Sequence, residues 1–203
     1  MLISFEGPEG SGKSTQVTLL ARRLRETGRE VIETKEPGGT PVGEAIRDVL
    51  LHRDVQISPV VELLLYSASR AALVREVIQP ALGRGAIVLT DRFADASRVY
   101  QGLAGGTPPF QIELVTSVAT DGLEPDLTVI LDLDPTIGLG RANHRVALDR
   151  LESKDLDYHQ RVRQGYLHLA RANPDRCVVV DAQGSEDIVA GAIWSVVAMR
   201  LRP

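Results

Sequence analysis

The chain has one cysteine, Cys177, so no intrachain disulfide can form and a disulfide-stapled secreted scaffold is excluded. Within RCVVVDA that thiol reads as a buried strand residue in a protein of a reducing compartment. Long apolar runs are missing too: nothing approaches the ~18 residues of a membrane span. The short apolar start has no basic region before it, so no signal peptide is expected. A cytoplasmic protein with no membrane partner follows. Blocks of like charge are absent and the formal net charge is −4, which argues against a nucleic-acid surface. Aromatic residues are few, with three Phe, one Trp and four Tyr, so the core must be aliphatic, and 203 residues suffice for one compact domain, 1–203. Only three of the 23 basic residues are lysine (Lys13, Lys35 and Lys154). His52, His144, His159 and His168 show no metal-ligand spacing and are expected to be surface or satisfied residues.

Short continuous apolar runs recur at 2–5, 30–34, 86–90, 127–133 and 177–181, the pattern of parallel strands covered on both faces. Segments of helical spacing lie between them at 13–27, 41–51, 59–83, 110–121, 155–172 and 186–201. Gly28 reads as a helix stop, Ser58-Pro59 as a helix start, and Pro80 as a bend inside the third helix. The stretch 102–109 reads as a loop, and 135–155 is weakly patterned. Strands alternating with helices predict an α/β fold with a doubly wound, five-stranded parallel sheet flanked by helices, its ligands at the carboxyl ends of the strands. At those ends stand Glu6, Lys35, Glu36, Asp91, Arg92, Asp132, Asp134 and Asp181.

The most specific local signal is GPEGSGKST, residues 7–15, between the first strand and the first helix. It matches GxxxxGK[ST] in the context that gives the pattern meaning. Gly7, Pro8, Glu9, Gly10, Ser11 and Gly12 would shape a concave row of N–H donors at a helix N-terminus, with Lys13 reaching the β and γ phosphates. The Ser14 hydroxyl would ligate Mg²⁺, and Thr15 completes the ATP-binding stretch. No guanine-reading NKxD occurs, so a GTPase is excluded; motor and transporter ATPases need more chain. A small P-loop kinase remains.

Four further stretches are TKEPGGT (34–40), YSASR (66–70), DRFADASRVYQG (91–102) and LDRLE (148–152). Together with the phosphate loop, their order and spacing resemble the thymidylate kinase family over residues 1 to about 200. The resemblance implies a P-loop NTPase fold, transfer of the ATP γ-phosphoryl to dTMP with Mg²⁺, and a homodimer. It places Arg92 and Arg47 on the acceptor phosphate, and Tyr66, Arg70, Ser97 and Gln101 around the pyrimidine. Tyr100 falls where the family crowds the sugar's 2′ position, Glu9 near the 3′-hydroxyl, and Glu36 beside them in the dTMP site. The acceptor phosphate has a second pKa near ~6, so no strong base is required, and Asp91 is assigned with Ser14 to the metal. Asp132 is a rival carboxylate for that role, weighed against a strand-end or capping residue. The phosphate loop carries no arginine, which resembles the bacterial arrangement with catalytic arginines in a lid, here about 138–152. Arg145 is the first candidate and Arg141 the second, beside the catalytic contributions of Lys13 and Arg92; Arg150 is expected to hold the lid. Lys35, Tyr66 and Val146-Ala147 depart from the common family pattern. Another nucleoside monophosphate kinase and a non-enzymatic nucleotide-binding regulator remain as alternative readings.

Overall fold

The computed structural model describes residues 1–52, 56–142 and 154–201. Five parallel strands form one sheet: β1 (Leu2–Glu6), β2 (Val31–Lys35), β3 (Ile87–Asp91), β4 (Leu127–Asp132) and β5 (Cys177–Asp181), in the spatial order β2-β3-β1-β4-β5. The helices are α1 (Lys13–Glu26), α2 (Pro41–Arg47), α3 (Pro59–Leu73), α4 (Gln79–Gly83), α5 (Ala94–Ser97), α6 (Pro109–Thr120), α7 (Pro135–Ala142), α8 (Leu156–Ala172) and α9 (Glu186–Arg200). The phosphate loop leaves the central strand, where Phe5 is in register with Asp91 on one side and Val129 on the other. The carboxyl ends of β1, β3 and β4 therefore converge on it.

Every residue of β1 is buried, as continuous apolar strands require when helices cover both faces. The edge strands are a correction to that expectation: β2 buries only Val31 fully and exposes Glu33 and Lys35, and β5 exposes Val179, because each has a neighbour on one side only. One apolar layer packs Ile3, Phe5 and Leu89 against α1 and α9. On the opposite face Leu2 and Val88 meet Leu73, Val74, Ile78 and Ala81 of the helical run that ends at Gly83, and Ile130 meets α8.

The long segment 59–83 is helical throughout, but α3 and α4 are joined by a π-helical turn at Val74–Ile78 just before Pro80. The wider turn absorbs the hydrogen bond that proline cannot make. A second π-turn, Arg98–Leu103, continues α5; neither it nor α7 stood out as apolar periodicity, because their buried positions are largely polar or small. Gly28 does end α1, at φ 80°, with its N–H bonded to the Arg25 carbonyl. Ser58 stands at the start of α3, yet its side chain makes no capping bond; Thr40, Asp155 and Ser185 do cap their helices.

Candidate active site

A cavity of about 600 Å³ opens at the carboxyl ends of the strands. Its floor is the phosphate loop, residues Glu9 to Gln16. One wall carries Lys35, Glu36, Arg47 and Tyr66; a second carries Asp91, Arg92, Ser97, Tyr100 and Gln101; the third carries Arg141 with the turn from Ala182 to Glu186. Residues from seven separate parts of the chain thus meet in one space. Arg145, Arg150 and Val146-Ala147, like lid positions 143–152 generally, lie outside the described residues.

The phosphate loop is built by backbone proximity. Gly10 lies at φ 68° with its α-carbon so close to Gly138 of α7 that an added Cβ would stand 2.1 Å from the Gly138 carbonyl oxygen. Only glycine permits that approach, and it sets α7 directly on the loop. Gly12, at φ 89°, starts α1. Lys13 folds back to donate to the carbonyls of Gly7 (3.2 Å) and Pro8 (2.9 Å) and to Ser11 Oγ (3.3 Å). Burial, then the neighbouring Arg92 charge, brings the ammonium down to about 8 against the pull of Glu9, Asp91 and Glu6. Desolvation and the Arg92 charge thus outweigh the three carboxylates around it.

Ser14 Oγ donates to Asp91 Oδ2 at 2.5 Å, so the two oxygens assigned to the metal are side by side. The rival carboxylate Asp132 is already engaged: Arg163 of α8 grips both its oxygens at 2.7 and 2.9 Å. Asp134, beside it, accepts from the Thr136 N–H at 2.9 Å and so begins α7. Asp132 is a strand-end ion-pair residue, and Asp134 is the cap.

Arg92 stands in the left-handed region, φ 73°, an unusual place for a side chain of its size. Its backbone is pinned there: the Arg92 N–H donates to Phe5 O at 2.9 Å, Thr90 Oγ1 donates to Arg92 O at 2.7 Å, and the next N–H, of Phe93, donates to Glu6 Oε1 at 2.7 Å. The strained turn aims the guanidinium into the cavity. There Nη2 donates to both oxygens of Glu9 (2.8 and 2.9 Å). Nη1 has only long bonds, at 3.3 Å, to Gly7 O and Tyr166 OH. Tyr100 lies under the guanidinium at 4.9 Å and its hydroxyl donates to Glu9 Oε1 at 2.8 Å. Burial alone would raise the Glu9 carboxyl, but the charges of Arg92 and Lys13 and the Tyr100 hydrogen bond hold it down at about 2. Glu9 is therefore an anion at every working pH.

On the α3 side, Arg70 is 1% exposed and is not among the residues lining the cavity. It donates Nε to Glu36 Oε2 (2.8 Å), Nη1 to Ser97 Oγ (3.1 Å) and Nη2 to Phe93 O (3.1 Å), supporting two lining residues from behind. Burial pushes the Glu36 carboxyl above its ordinary range against the pull of Arg70, and its Oε1 has no partner among the described residues. Arg47 reaches over the EPGG turn and donates to Pro37 O at 2.8 Å. Lys35 faces the cavity but is 3.8 Å from Glu44, a loose exposed pair. Arg141 donates to Ala182 O at 3.4 Å.

A family model described as thymidylate kinase matches residues 5–193. The chain belongs to that family. The chain is 52% identical to the thymidylate kinase of Deinococcus radiodurans, over 98% of this chain and 97% of the relative. It is 50% identical to that of Caulobacter vibrioides, over 98% and 96%. Among solved structures it superposes on the thymidylate kinase of Ehrlichia chaffeensis with a TM-score of 0.82 at 32% identity, covering 97% of this chain and 98% of that one.

Three features of this family member's site had no role assigned from the sequence, although Glu6 stood among the strand-end candidates. The turn from Ala182 to Glu186 enters the cavity, and Gln16 Nε2 donates to Glu186 O at 3.0 Å. His159 is buried, and its Nε2 has no partner among the described residues, contrary to the expectation of a surface or satisfied ring; it sits edge-on to Tyr158 in the tight face of α8. Glu6 is fully buried and accepts from Ser4 Oγ (2.9 Å), the Phe93 N–H (2.7 Å) and Tyr166 OH (2.8 Å). Burial, then the nearby Asp95 carboxylate, pushes Glu6 up to about 7, outweighing Arg92 and the hydrogen bonds.

That shift fixes the sign of a pH effect. The ordinary value is 4.5, so the folded chain takes up a proton that the unfolded chain has lost between pH 4.5 and about 7. The contribution is complete below pH 4.5 and is lost as the pH passes about 7. Glu6→Gln removes the titration. Urea unfolding of variant and wild type should show their difference moving in the variant's favour by about 3 kcal/mol between acidic and mildly alkaline pH. A difference constant across that range would refute the assignment.

Proposed function

We propose that the chain converts dTMP to dTDP at the expense of ATP in this cavity, with the two nucleotides meeting end to end over the phosphate loop. The observation that carries the reading is the juxtaposition, in one space, of a backbone anion cradle with Lys13 and a second cationic wall around Arg92. Two phosphate-bearing substrates bring several negative charges together, and such an arrangement compensates them from both sides.

ATP lies with its phosphates on Gly7 to Thr15 and its nucleoside between Arg141 and the Ala182–Glu186 turn. On the acceptor side, Arg92 turns its loosely held Nη1 to the dTMP phosphate while Nη2 stays on Glu9. Arg47 is the second clamp. Tyr66, Ser97 and Gln101 take the base, with Arg70 behind them, Glu36 at their edge, and Tyr100 and Glu9 against the sugar. The acceptor phosphate is largely dianionic near neutral pH, so the protein needs no base. It contributes position and charge, with no covalent intermediate. Arg145, then Arg141, are the lid groups proposed to face the transferring phosphoryl; Arg141 is beside Ala182, which favours Arg145.

Ser14 and Asp91 are the residues proposed to hold Mg²⁺. They fit: both offer hard oxygens, side by side at 2.5 Å, and Mg²⁺ is usually held by one or two such protein groups with water and phosphates completing its shell. When bound, Mg²⁺ supplies charge neutralisation on the β and γ phosphates.

The homodimer is supported by an apolar face. Phe110, Leu114 and Val118, four residues apart on α6, are 66–70% exposed, and Val60, Val61 and Leu64 of the adjoining α3 are about half exposed. A self-complementary pairing of two copies would cover this stripe. We assign the reaction to the cytoplasm on the free buried Cys177; no helix among the described residues is long and apolar enough to cross a membrane.

A coupled ADP-release assay across nucleoside monophosphates tests the reading. Turnover is expected with dTMP, abolished by chelation with EDTA and restored by Mg²⁺. Equal turnover with AMP or GMP would replace the pyrimidine assignment, and ATP binding without acceptor-dependent turnover would make the chain a regulator. Sedimentation at twice the 22.0 kDa chain mass is expected; a monomer at micromolar concentration would remove the dimer.

A further inference from the structure

The side-chain amide of Gln101 has two ends of the same shape and opposite hydrogen-bonding sense: a carbonyl that accepts and an NH₂ that donates. Which end faces a ligand is decided by what holds the other. Here Gln101 Nε2 donates to Glu62 Oε1 at 2.6 Å, and both residues are more than nine-tenths buried. Glu62 stands one turn before Tyr66 on α3, on the helix face that also carries Arg70. A carboxylate has lone pairs and no proton to give, so it takes the NH₂ end and leaves the carbonyl end to the cavity. Gln101 lines the cavity, and its Oε1 has no protein partner among the described residues.

We infer that Glu62 is a specificity-determining positioning residue, which locks the Gln101 amide with its carbonyl oxygen toward the acceptor base and so selects pyrimidines that carry a proton on ring nitrogen 3. The inference rests on the reading that this end of the cavity takes the acceptor nucleotide. Thymine and uracil offer an N–H at that position, flanked by two carbonyl oxygens. Cytosine offers a bare nitrogen there and an amino group beside it. With the amide held as it is, cytosine would set two acceptors against each other in a site where neither can turn to water, the situation that gives polar sites their strongest discrimination. Glu62 acts on selectivity without touching the ligand. It does not distinguish thymine from uracil, which present the same edge.

The test is Glu62→Gln, close to isosteric. An amide at position 62 can donate as well as accept, so both orientations of Gln101 become available. The ratio of kcat/KM for dTMP to that for dCMP is expected to fall about tenfold or more. A structural role for Glu62 would lower both substrates together and leave the ratio unmoved. An unchanged ratio in a folded variant, verified by its melting curve, overturns the inference. Wild-type protein supplies an independent arm: dTMP methylated at N3 should bind about tenfold or more weaker than dTMP by calorimetry. Equal binding of the two overturns the inference as well. Wild-type inactivity toward all pyrimidine monophosphates would instead overturn the proposed function, and that measurement comes first.

Discussion

Arg92→Ala is expected to lower kcat/KM for dTMP by roughly 10³-fold, the scale seen when one preorganised cationic group is withdrawn from a transferring or accepting phosphate. The side chain holds Glu9 through one amino group and has a second that is only weakly engaged, at 3.3 Å, by a carbonyl and a phenol. An incoming phosphate can claim that second group without breaking the first pair. Alanine removes both and leaves Glu9 with Lys13 as its remaining close cation, so the Glu9 carboxyl should also titrate higher than about 2. Steady-state kinetics should show the loss against dTMP, with KM for ATP changed only severalfold. Calorimetry with unphosphorylated thymidine separates clamp from scaffold: thymidine affinity should survive. An equal loss for thymidine and dTMP would mean that Arg92 maintains the site's shape and does not hold the phosphate.

Asp95→Ala is expected to destabilise the fold by about 3 kcal/mol, the lower end of what breaking a buried ion pair costs. The Asp95 side chain is fully buried. Arg176 donates to both its oxygens (2.6 and 2.9 Å), Arg98 donates to Oδ1 at 2.9 Å, and Thr128 Oγ1 donates to Oδ2 at 3.0 Å. One carboxylate thus ties α5 to β4 and to the entry of β5. The lower end is expected because both arginines keep Glu124, with Arg98 at 2.6 Å and Arg176 at 3.7 Å. Burial opposes ionisation of Asp95, but the hydrogen bonds and charges of Arg176 and then Arg98 prevail and hold it below its ordinary 3.8. Its contribution is present above pH 3.8 and is lost as the pH falls through the lower folded value. Melting of variant and wild type should therefore differ by about 10 °C near neutral pH. The gap should close in acid; one that held steady down to pH 2 would show that the lost stability came from packing.

The pH behaviour of the two buried carboxylates runs in opposite directions. Two arginines beside Asp95 hold its carboxyl below the ordinary range, while burial and the neighbouring Asp95 charge push Glu6 up to about 7 against the pull of Arg92 and its neutral donors. Their positions in the sequence, a strand-end Glu and an Asp four residues after another Asp, carry no hint of that difference.

All five strands and the phosphate loop were legible in the chain, because each is a local pattern: a run of apolar residues, or glycines at set spacing before Lys13-Ser14. The helical segment 59–83 was legible for the same reason. Less visible were α5 with its π-turn and α7, whose buried positions include Asp95, Ser97, Gln101 and the close-packed Gly138, residues that break apolar periodicity. Of the candidate carboxylates, Asp91 and Asp132 look alike, each an acidic residue ending an apolar strand. Only the neighbours separate them: Ser14 beside one, Arg163 across both oxygens of the other.

By itself the sequence determined that a strand, an anion-cradling turn and a helix follow one another at residues 2–26, and that EPGGT and DRF stand at the next two strand ends. These depend on contacts within a few residues, so order along the chain suffices. The tertiary structure decided which side chains answer one another: Arg92 with Glu9 across 83 positions, Tyr166 with Glu6 across 160, Gln101 with Glu62 across 39. Those partners are set by the strand order β2-β3-β1-β4-β5 and by how helices lie over it, and no spacing in the chain encodes a distance that arises only when the sheet is assembled.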